Sequence, residues 1–412
     1  MRSLVLGAAS VAVASMIVAP GAHAAARPWL DPSESPEQRA AQLVAQMTLE
    51  EKISQMHTTG MGAGGIARLV PGIPRLGVPD FRITNGPAGV GTGSVSTQPS
   101  ATALPAPVAL AATFDTELAH EYGVVEGKET ADVGHSLIEA PDVNMVRVPE
   151  GGRAFENLGE DPYLAGQLAA ANIQGIQGQG VLAEVKHYAA NDQETNRKTI
   201  NEAIDDRTLH EIHLPAFEAA VKQGGVAAVM CAYPSVNGEF MCQNKHLLTD
   251  VLLNQWGFDG FIQSDAGATH SAVGSADAGM SLELADNGPY DQPLEQAVQD
   301  GQVSMQRLDQ LLEARLATEI RFGLFDHPAT ITPIDATGDG AAAREISEAS
   351  TVLLKNSGNQ LPLDASALHS VAVIGQYAAT TYPGGGGSSH VNPLYTVSPV
   401  QGIQARVGSG VN

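Results

Sequence analysis

Positive charge is scarce: 22 Lys and Arg stand against 45 Asp and Glu, for a formal net charge of −23. Nucleic acids and anionic membrane surfaces both demand clustered cations, so this balance excludes them as partners. Long apolar runs are missing after the first residues, which excludes a membrane-spanning helix there. Cysteine is confined to Cys231 and Cys242. No His, Cys and acidic residues share the spacing of a metal site: His210 and His213 lie three apart on a predicted helix without further ligands, and read as surface or packing residues. No metal or other cofactor is expected. Internal repeats, low-complexity tracts and the compositions of disorder or collagen are absent as well.

What remains is an acidic globular chain. Its 412 residues, 43% hydrophobic, suit one large domain with part of a second. Arg2, the apolar run Leu4 to Val18 and the cleavage pattern Ala22-His23-Ala24 read as a signal peptide over residues 1–24. The mature protein then starts at Ala25 and is secreted, extracellular or periplasmic, with no membrane contact after cleavage. In such an oxidising compartment Cys231 and Cys242, flanking Pro234 and the turn Asn237-Gly238, are expected to form a local disulfide; the alternative is two buried thiols.

From Pro36 to Gly323 helical and strand-like stretches alternate. Thr48-Leu49-Glu50-Glu51 reads as a capping box. Helices are predicted from Asp115 to Val133, Pro162 to Gln177, Thr208 to Gln223, Lys245 to Trp256 and Ser304 to Phe322. Gly134, Gly178, Gly224, Gly257 and Gly323 stand where left-handed residues close helices. Buried strands are predicted at Phe81–Thr84, Val143–Val148, Val181–Val185, Val226–Cys231 and Phe258–Ile262. This α/β alternation over 25–325 fits a (β/α)8 barrel of the triosephosphate-isomerase type, with a doubly wound open sheet as rival. Asn85, Lys186, His187, Tyr233, Ser264 and Asp265 follow the strand-like runs, and a barrel builds its active site at those strand ends. Residues 326–341 read as a linker. A new unit over 342–412 opens with a helix through Val352 and a strand at Val371–Ile374.

Glycoside hydrolysis by the retaining route needs two carboxyls about 5–5.5 Å apart, with charged and bidentate partners for the ring hydroxyls. Five segments, in order, carry a resemblance to such enzymes. They are Gly152-Arg153-Ala154-Phe155-Glu156 with Gly159-Glu160-Asp161-Pro162; Lys186-His187-Tyr188 with Asn191, Glu194, Thr195, Asn196 and Arg197; Met230-Cys231-Ala232-Tyr233 closed by Val236-Asn237-Gly238; Gly257 to Asp265; and Leu353-Leu354-Lys355-Asn356 with Leu361-Pro362-Leu363. Together they resemble family 3 of the glycoside hydrolases, the β-glucosidase group. The resemblance implies a (β/α)8 barrel followed by the start of an α/β sandwich domain, and a carbohydrate substrate. It also implies roles. Asp265 attacks the anomeric carbon; Arg153, Lys186 and His187 bind ring hydroxyls; Tyr233 holds the Asp265 carboxylate; Met230 lines the pocket; Ser388 reaches the site from the second domain.

The chain departs from the family pattern at several places. Asn85 stands where most members carry an aspartate that accepts from two hydroxyls, and an amide offers one acceptor and one donor group instead. Gly91 replaces a common arginine and Ala266 a tryptophan, so the sugar pocket is expected to be wider and less charged. The acid/base glutamate of two-domain members has no counterpart through Asn412, and Tyr188-Ala189-Ala190-Asn191-Asp192 does not match the His–Asp pattern of single-domain members. The expectation is a retaining β-glycosidase whose acid step is impaired. Its alternatives are a non-catalytic sugar-binding remnant and one half of a split enzyme with a separately encoded C-terminal half.

Overall fold

The computed structural model describes residues 27–59, 68–91, 100–327 and 329–412. The predicted signal peptide lies outside these residues. Seven strands form one sheet, and their spatial order is their chain order: β1 (Arg68–Val70), β2 (Phe81–Asn85), β3 (Leu137–Glu139), β4 (Leu182–Tyr188), β5 (Ala228–Cys231), β6 (Phe261–Ser264) and β7 (Met280–Leu282). From β2 to β7 neighbours are parallel. Parallel neighbours need a crossover, supplied by helices α1 (Thr116–Asp132), α2 (Pro162–Gln177) and α3 (Pro215–Lys222), then by His246–Gln255 and Ala272–Ala278. Helix α4 (Met305–Arg321) follows β7.

The sheet's two edges meet, which removes the open-sheet rival. Thr58 N donates to Glu283 O at 3.0 Å, Glu283 N to Met56 O at 2.9 Å, and Thr59 N to Leu69 O at 2.7 Å. The segment Met56 to Thr59 is therefore an eighth stave, closing the ring between β7 and β1. One departure from the expected barrel is that β1 runs antiparallel to β2. The chain between them holds no helix and turns back through the Ile73–Val78 bridge, too short a path for a parallel return.

Helix ends follow their capping chemistry. Asp115 accepts the amides of Glu117 and Leu118, and Asp161 those of Tyr163 and Leu164, so α1 and α2 begin where the sequence placed them. Gly134, Gly257 and Gly323 adopt φ of 76°, 72° and 78°. At the other two predicted closures the left-handed residue lies further on, at Gly180 and Gly225. The predicted helix Thr208–Gln223 divides into Asp206–Thr208, a wide turn Leu209–His213, and α3. Pro215 has no amide to continue the ladder and opens the last piece.

The predicted strand at Val143–Val148 is not one. The strand is Leu137–Glu139, and the chain stays hydrogen-bonded to β4 as far as Val143, whose amide donates to the Lys186 carbonyl at 2.9 Å, before it leaves the sheet. Val143 and Met145 are buried in the loop that follows, so the apolar run marks burial rather than sheet. Inside the ring, Val70, Phe81, Ile83, Leu137, Leu182, Met230, Phe261 and Leu282 pack together. A larger cluster fills the space between strands and helices.

Beyond the barrel, helix α5 (Ala336–Ala349) starts inside the predicted linker and buries Ile346 fully. Val371–Ile374 is not a strand: it pairs with no sheet, Val371 N bonds only to the Asn412 carbonyl, and Ile374 is 93% exposed. A strand without a neighbour has no ladder to satisfy its backbone. The segment instead touches the barrel at a few points. Asn392–Pro393 pairs with Ser100–Ala101, and Val391 lies over Gly89.

Candidate active site

Asp265 follows β6 directly, and its amide donates to Cys231 O at the end of β5. This places its carboxyl at the carboxyl ends of the strands, where β4 delivers Lys186 and His187. The side chain is buried at 8% exposure. Oδ1 accepts the Ala266 amide at 2.6 Å, and Oδ2 lies 3.7 Å from His187 Nε2. Burial raises a carboxyl's pKa, but His187, Arg153, the Ala266 amide and Arg197 together outweigh it and hold Asp265 below its ordinary value. A buried carboxylate kept ionised without an ion-pair partner in direct contact is the state a nucleophile requires.

Arg153 is anchored rather than free. Its Nε donates to Glu156, its Nη1 stands 3.0 Å from His187 Nε2, and its Nη2 lies 3.7 Å from Asp142 Oδ2. Nη2 is buried and makes no hydrogen bond to the protein. Lys186 is 1% exposed; burial raises the pKa of Glu139, Asp142, Glu156 and Glu184 around it, and its ammonium opposes part of that shift. His187 is clamped through its backbone by Asn144, whose Oδ1 takes the His187 amide at 2.9 Å and whose Nδ2 donates to the His187 carbonyl at 3.0 Å.

Tyr233 donates its hydroxyl to the Ala266 carbonyl at 2.8 Å. Burial and then the neighbouring Asp265 charge push its pKa upward, so the phenol stays neutral beside the carboxylate. Asn85 ends β2, is 3% exposed, and its Oδ1 is a buried acceptor with no protein donor. Met230 belongs to the inner packing of the ring, which Ala266 also touches. Ser388 is exposed, whereas the adjacent Ser389 is 4% exposed with its Oγ unpartnered. The buried serine of this loop is thus Ser389.

The geometry thus gathers Asp265, Arg153, His187, Lys186 and Tyr233 about one end of the barrel. It adds Arg197, quoted in the sequence motif but given no role there. The Arg197 guanidinium lies 4.5 Å from the Tyr233 ring centroid, pairs with Glu194 at 2.8 Å and helps keep Asp265 ionised. Its position after two turns of irregular loop hid it; a guanidinium beside a polar motif was the available signal. Cys231 and Cys242 are bonded, S–S 2.01 Å, at the base of the loop that carries Tyr233. His213, read as packing or surface, is buried and pairs with Asp192 at 2.6 Å. Among the described residues no group of three His, Cys, Asp or Glu side chains could hold a metal ion.

Residues 88–318 match the family model "Glycosyl hydrolase family 3 N terminal domain", and residues 351–410 match "Glycosyl hydrolase family 3 C-terminal domain". The chain belongs to glycosyl hydrolase family 3. Within this family it is similar to a β-glucosidase of Rhizobium radiobacter, 39% identical over 89% of this chain and 44% of the relative. It is also similar to an exo-α-(1→6)-L-arabinopyranosidase of Bifidobacterium longum, 36% identical over 86% of this chain and 48% of the relative. Among solved family 3 structures, DesR, a β-glucosidase from Streptomyces venezuelae in complex with D-glucose, superposes with a TM-score of 0.84. It is 38% identical and is matched over 91% of this chain and 49% of that one. The chain thus spans about half the length of these relatives.

Proposed function

We propose that this chain cleaves the β-glycosidic bond of a neutral pyranoside by the retaining route, with Asp265 as nucleophile. The observation that carries the proposal is the placement of Asp265: a buried carboxyl at the strand ends, with His187 at 3.7 Å and the charges of Arg153 and Arg197 beside it. In this reading the carboxylate attacks the anomeric carbon, the leaving oxygen departs, and water then releases the sugar from the ester. Arg153 Nη2, Lys186 Nζ and the buried Asn85 Oδ1 would meet ring hydroxyls as donors and acceptor. The glucosidase and arabinopyranosidase relatives support a pyranoside of either hexose or pentose type.

Proton delivery to the leaving group is the weak step. Among the described residues, the carboxyls around Asp265 are each committed: Glu156 to Arg153, Asp142 to Asn144 and Asn157, Glu139 to Arg68, Glu184 to Gln263, Glu194 to Asn191 and Arg197. Substrates with low-pKa leaving groups need little protonation, so activated aryl glycosides should be the ones that react. A 2-deoxy-2-fluoro aryl glycoside tests the reading, because it should leave a covalent adduct on Asp265 that peptide mass mapping locates. Binding of the sugar without any adduct would replace the reading with a sugar-binding protein, which the neutral Asn85 and Ala266 favour. Leu354 and Ile374, 91% and 93% exposed, favour a further polypeptide segment covering residues 350–400; restoration of disaccharide cleavage by a separately made C-terminal half would establish it. We also propose export, supported by the Cys231–Cys242 bond, and N-terminal sequencing should begin at Ala25.

A further inference from the structure

Three short strands, Asn201–Glu202, Ser235–Val236 and Glu239–Phe240, form a small sheet of their own in the loops after β4 and β5. Side chains fix it further. Asn237 bonds both the amide and the carbonyl of Ile204, at 3.0 and 2.9 Å, and the Gly238 amide donates to Asn201 Oδ1 at 2.6 Å. The chain entering this sheet turns at Asn196, whose carbonyl accepts the amides of Thr199 and Ile200 at 2.8 and 2.9 Å. The turn carries Arg197 and Lys198, and both lie over the Tyr233 ring: the Arg197 guanidinium 4.5 Å and the Lys198 ammonium 5.1 Å from its centroid. Phe240 stacks on His270 with centroids 3.6 Å apart, which ties the segment after Asp265 to the same small sheet.

The two cations differ. Arg197 is partly buried and pairs with Glu194 at 2.8 Å. Lys198 is exposed and, among the described residues, meets no carboxylate; its one polar interaction is with the Tyr233 ring. That ring is itself held by the bond from its hydroxyl to the Ala266 carbonyl at 2.8 Å, so cation–π attraction keeps an uncommitted ammonium close to the nucleophile. In a chain of 45 acidic and 22 basic residues, this leaves an anion-binding position open beside Asp265. Lys186, His187 and Asp265 are buried and would enclose the sugar, whereas Lys198 stands on the open side, where a leaving group projects.

We propose that Lys198, backed by Arg197, binds a carboxylate on the leaving group, which makes pyranosides of phenolic acids the preferred substrates. The assignment rests on the glycosidase reading of Asp265 and names the leaving group within it. An aromatic ring carries its carboxylate across to the rim while its oxygen stays at the anomeric carbon, and a phenol leaves with less protonation than an alcohol does.

S-linked glycosides, which resist cleavage, test this through binding alone. In titration calorimetry at about 20 mM salt, 4-carboxyphenyl 1-thio-β-D-glucopyranoside should bind the full chain about 3- to 10-fold more tightly than phenyl 1-thio-β-D-glucopyranoside. At about 500 mM salt the advantage should shrink to within about twofold. Lys198→Met should bind the two alike, and Lys198→Arg should keep the preference. Phenyl 1-thio-β-D-glucuronide, whose carboxylate sits on the sugar, should gain nothing over the phenyl glucoside. Equal affinities in the wild type, a preference that survives Lys198→Met or high salt, or a preference for the glucuronide would each overturn the rim assignment and leave the reading of Asp265 standing. Failure of every glycoside to bind would remove the sugar site itself, and the rim assignment with it.

Discussion

Arg153 Nη1 stands 3.0 Å from His187 Nε2, and because a guanidinium only donates, the imidazole accepts at that nitrogen. Its own proton therefore sits on Nδ1, where Asn144 Oδ1 and Asp142 Oδ2 both lie at 3.2 Å. Burial and then Arg153 hold His187 well below its ordinary value. The ring thus loses its charge below the usual imidazole range, and from there Arg153 and Arg197 supply the positive charge beside Asp265.

Arg153→Lys should slow labelling of Asp265 by a fluoroglycoside about 10- to 100-fold, the size expected for losing charge-assisted hydrogen bonds. An ammonium cannot reach Glu156, His187 and Asp142 together as the fork does. Inactivation rates against inhibitor concentration, read with the melting temperature, check this. A variant labelled at the wild-type rate would remove Arg153 from the site.

Glu126 should make the fold less stable as pH rises. It is buried on α1, its Oε2 takes the Asn172 amide at 2.8 Å, and burial raises its pKa from 4.5 to about 8. A raised carboxyl contributes most below 4.5, loses that contribution progressively as pH climbs to about 8, and then levels off. Glu126→Gln keeps the bond to Asn172 and removes the ionisation. It should flatten the pH dependence and gain on the order of a few kcal/mol at pH 9. Urea unfolding at pH 5 and 9 measures the difference, and identical slopes for the two proteins would contradict it.

Replacing Cys231 and Cys242 together by serine should destabilise the chain by about 2–3 kcal/mol, the loop-closure value for a short ring. The two residues are 11 apart, and the loop between them carries Tyr233 over Arg197. Calorimetry gives the stability change. Reduction of the wild type should reproduce it, and a reductant-insensitive melting temperature would show that the bond contributes nothing.

Much of the fold could be read in advance because its signals were local. Asp115, Asp161 and Ser304 cap helices through their own neighbouring amides, and the runs at Phe81, Val181 and Phe258 lie within or beside real strands. Failures came where the decisive partner is distant. Leu137–Glu139 is too short and too polar to read as a strand, since Glu139 is neutralised by Arg68 from β1, 2.6 Å away. Val371–Ile374 has strand composition but no strand beside it. The candidate site divides the same way: Lys186, His187 and Asp265 are placed by the strand ends they occupy or follow, while Arg197 needed its reach over Tyr233.

The hydrogen bonds that Glu283 makes, its amide to Met56 O and its carbonyl from Thr58 N, have a consequence for biosynthesis. The ring's opening stave is translated long before the one that accepts it, so during synthesis it must wait on the ribosome with part of its backbone unpaired. Nascent chains released before residue 283 would expose raw edges at both sides of the sheet, and such chains are candidates for chaperone capture. Closure of the ring therefore depends on two segments far apart in the chain finding each other.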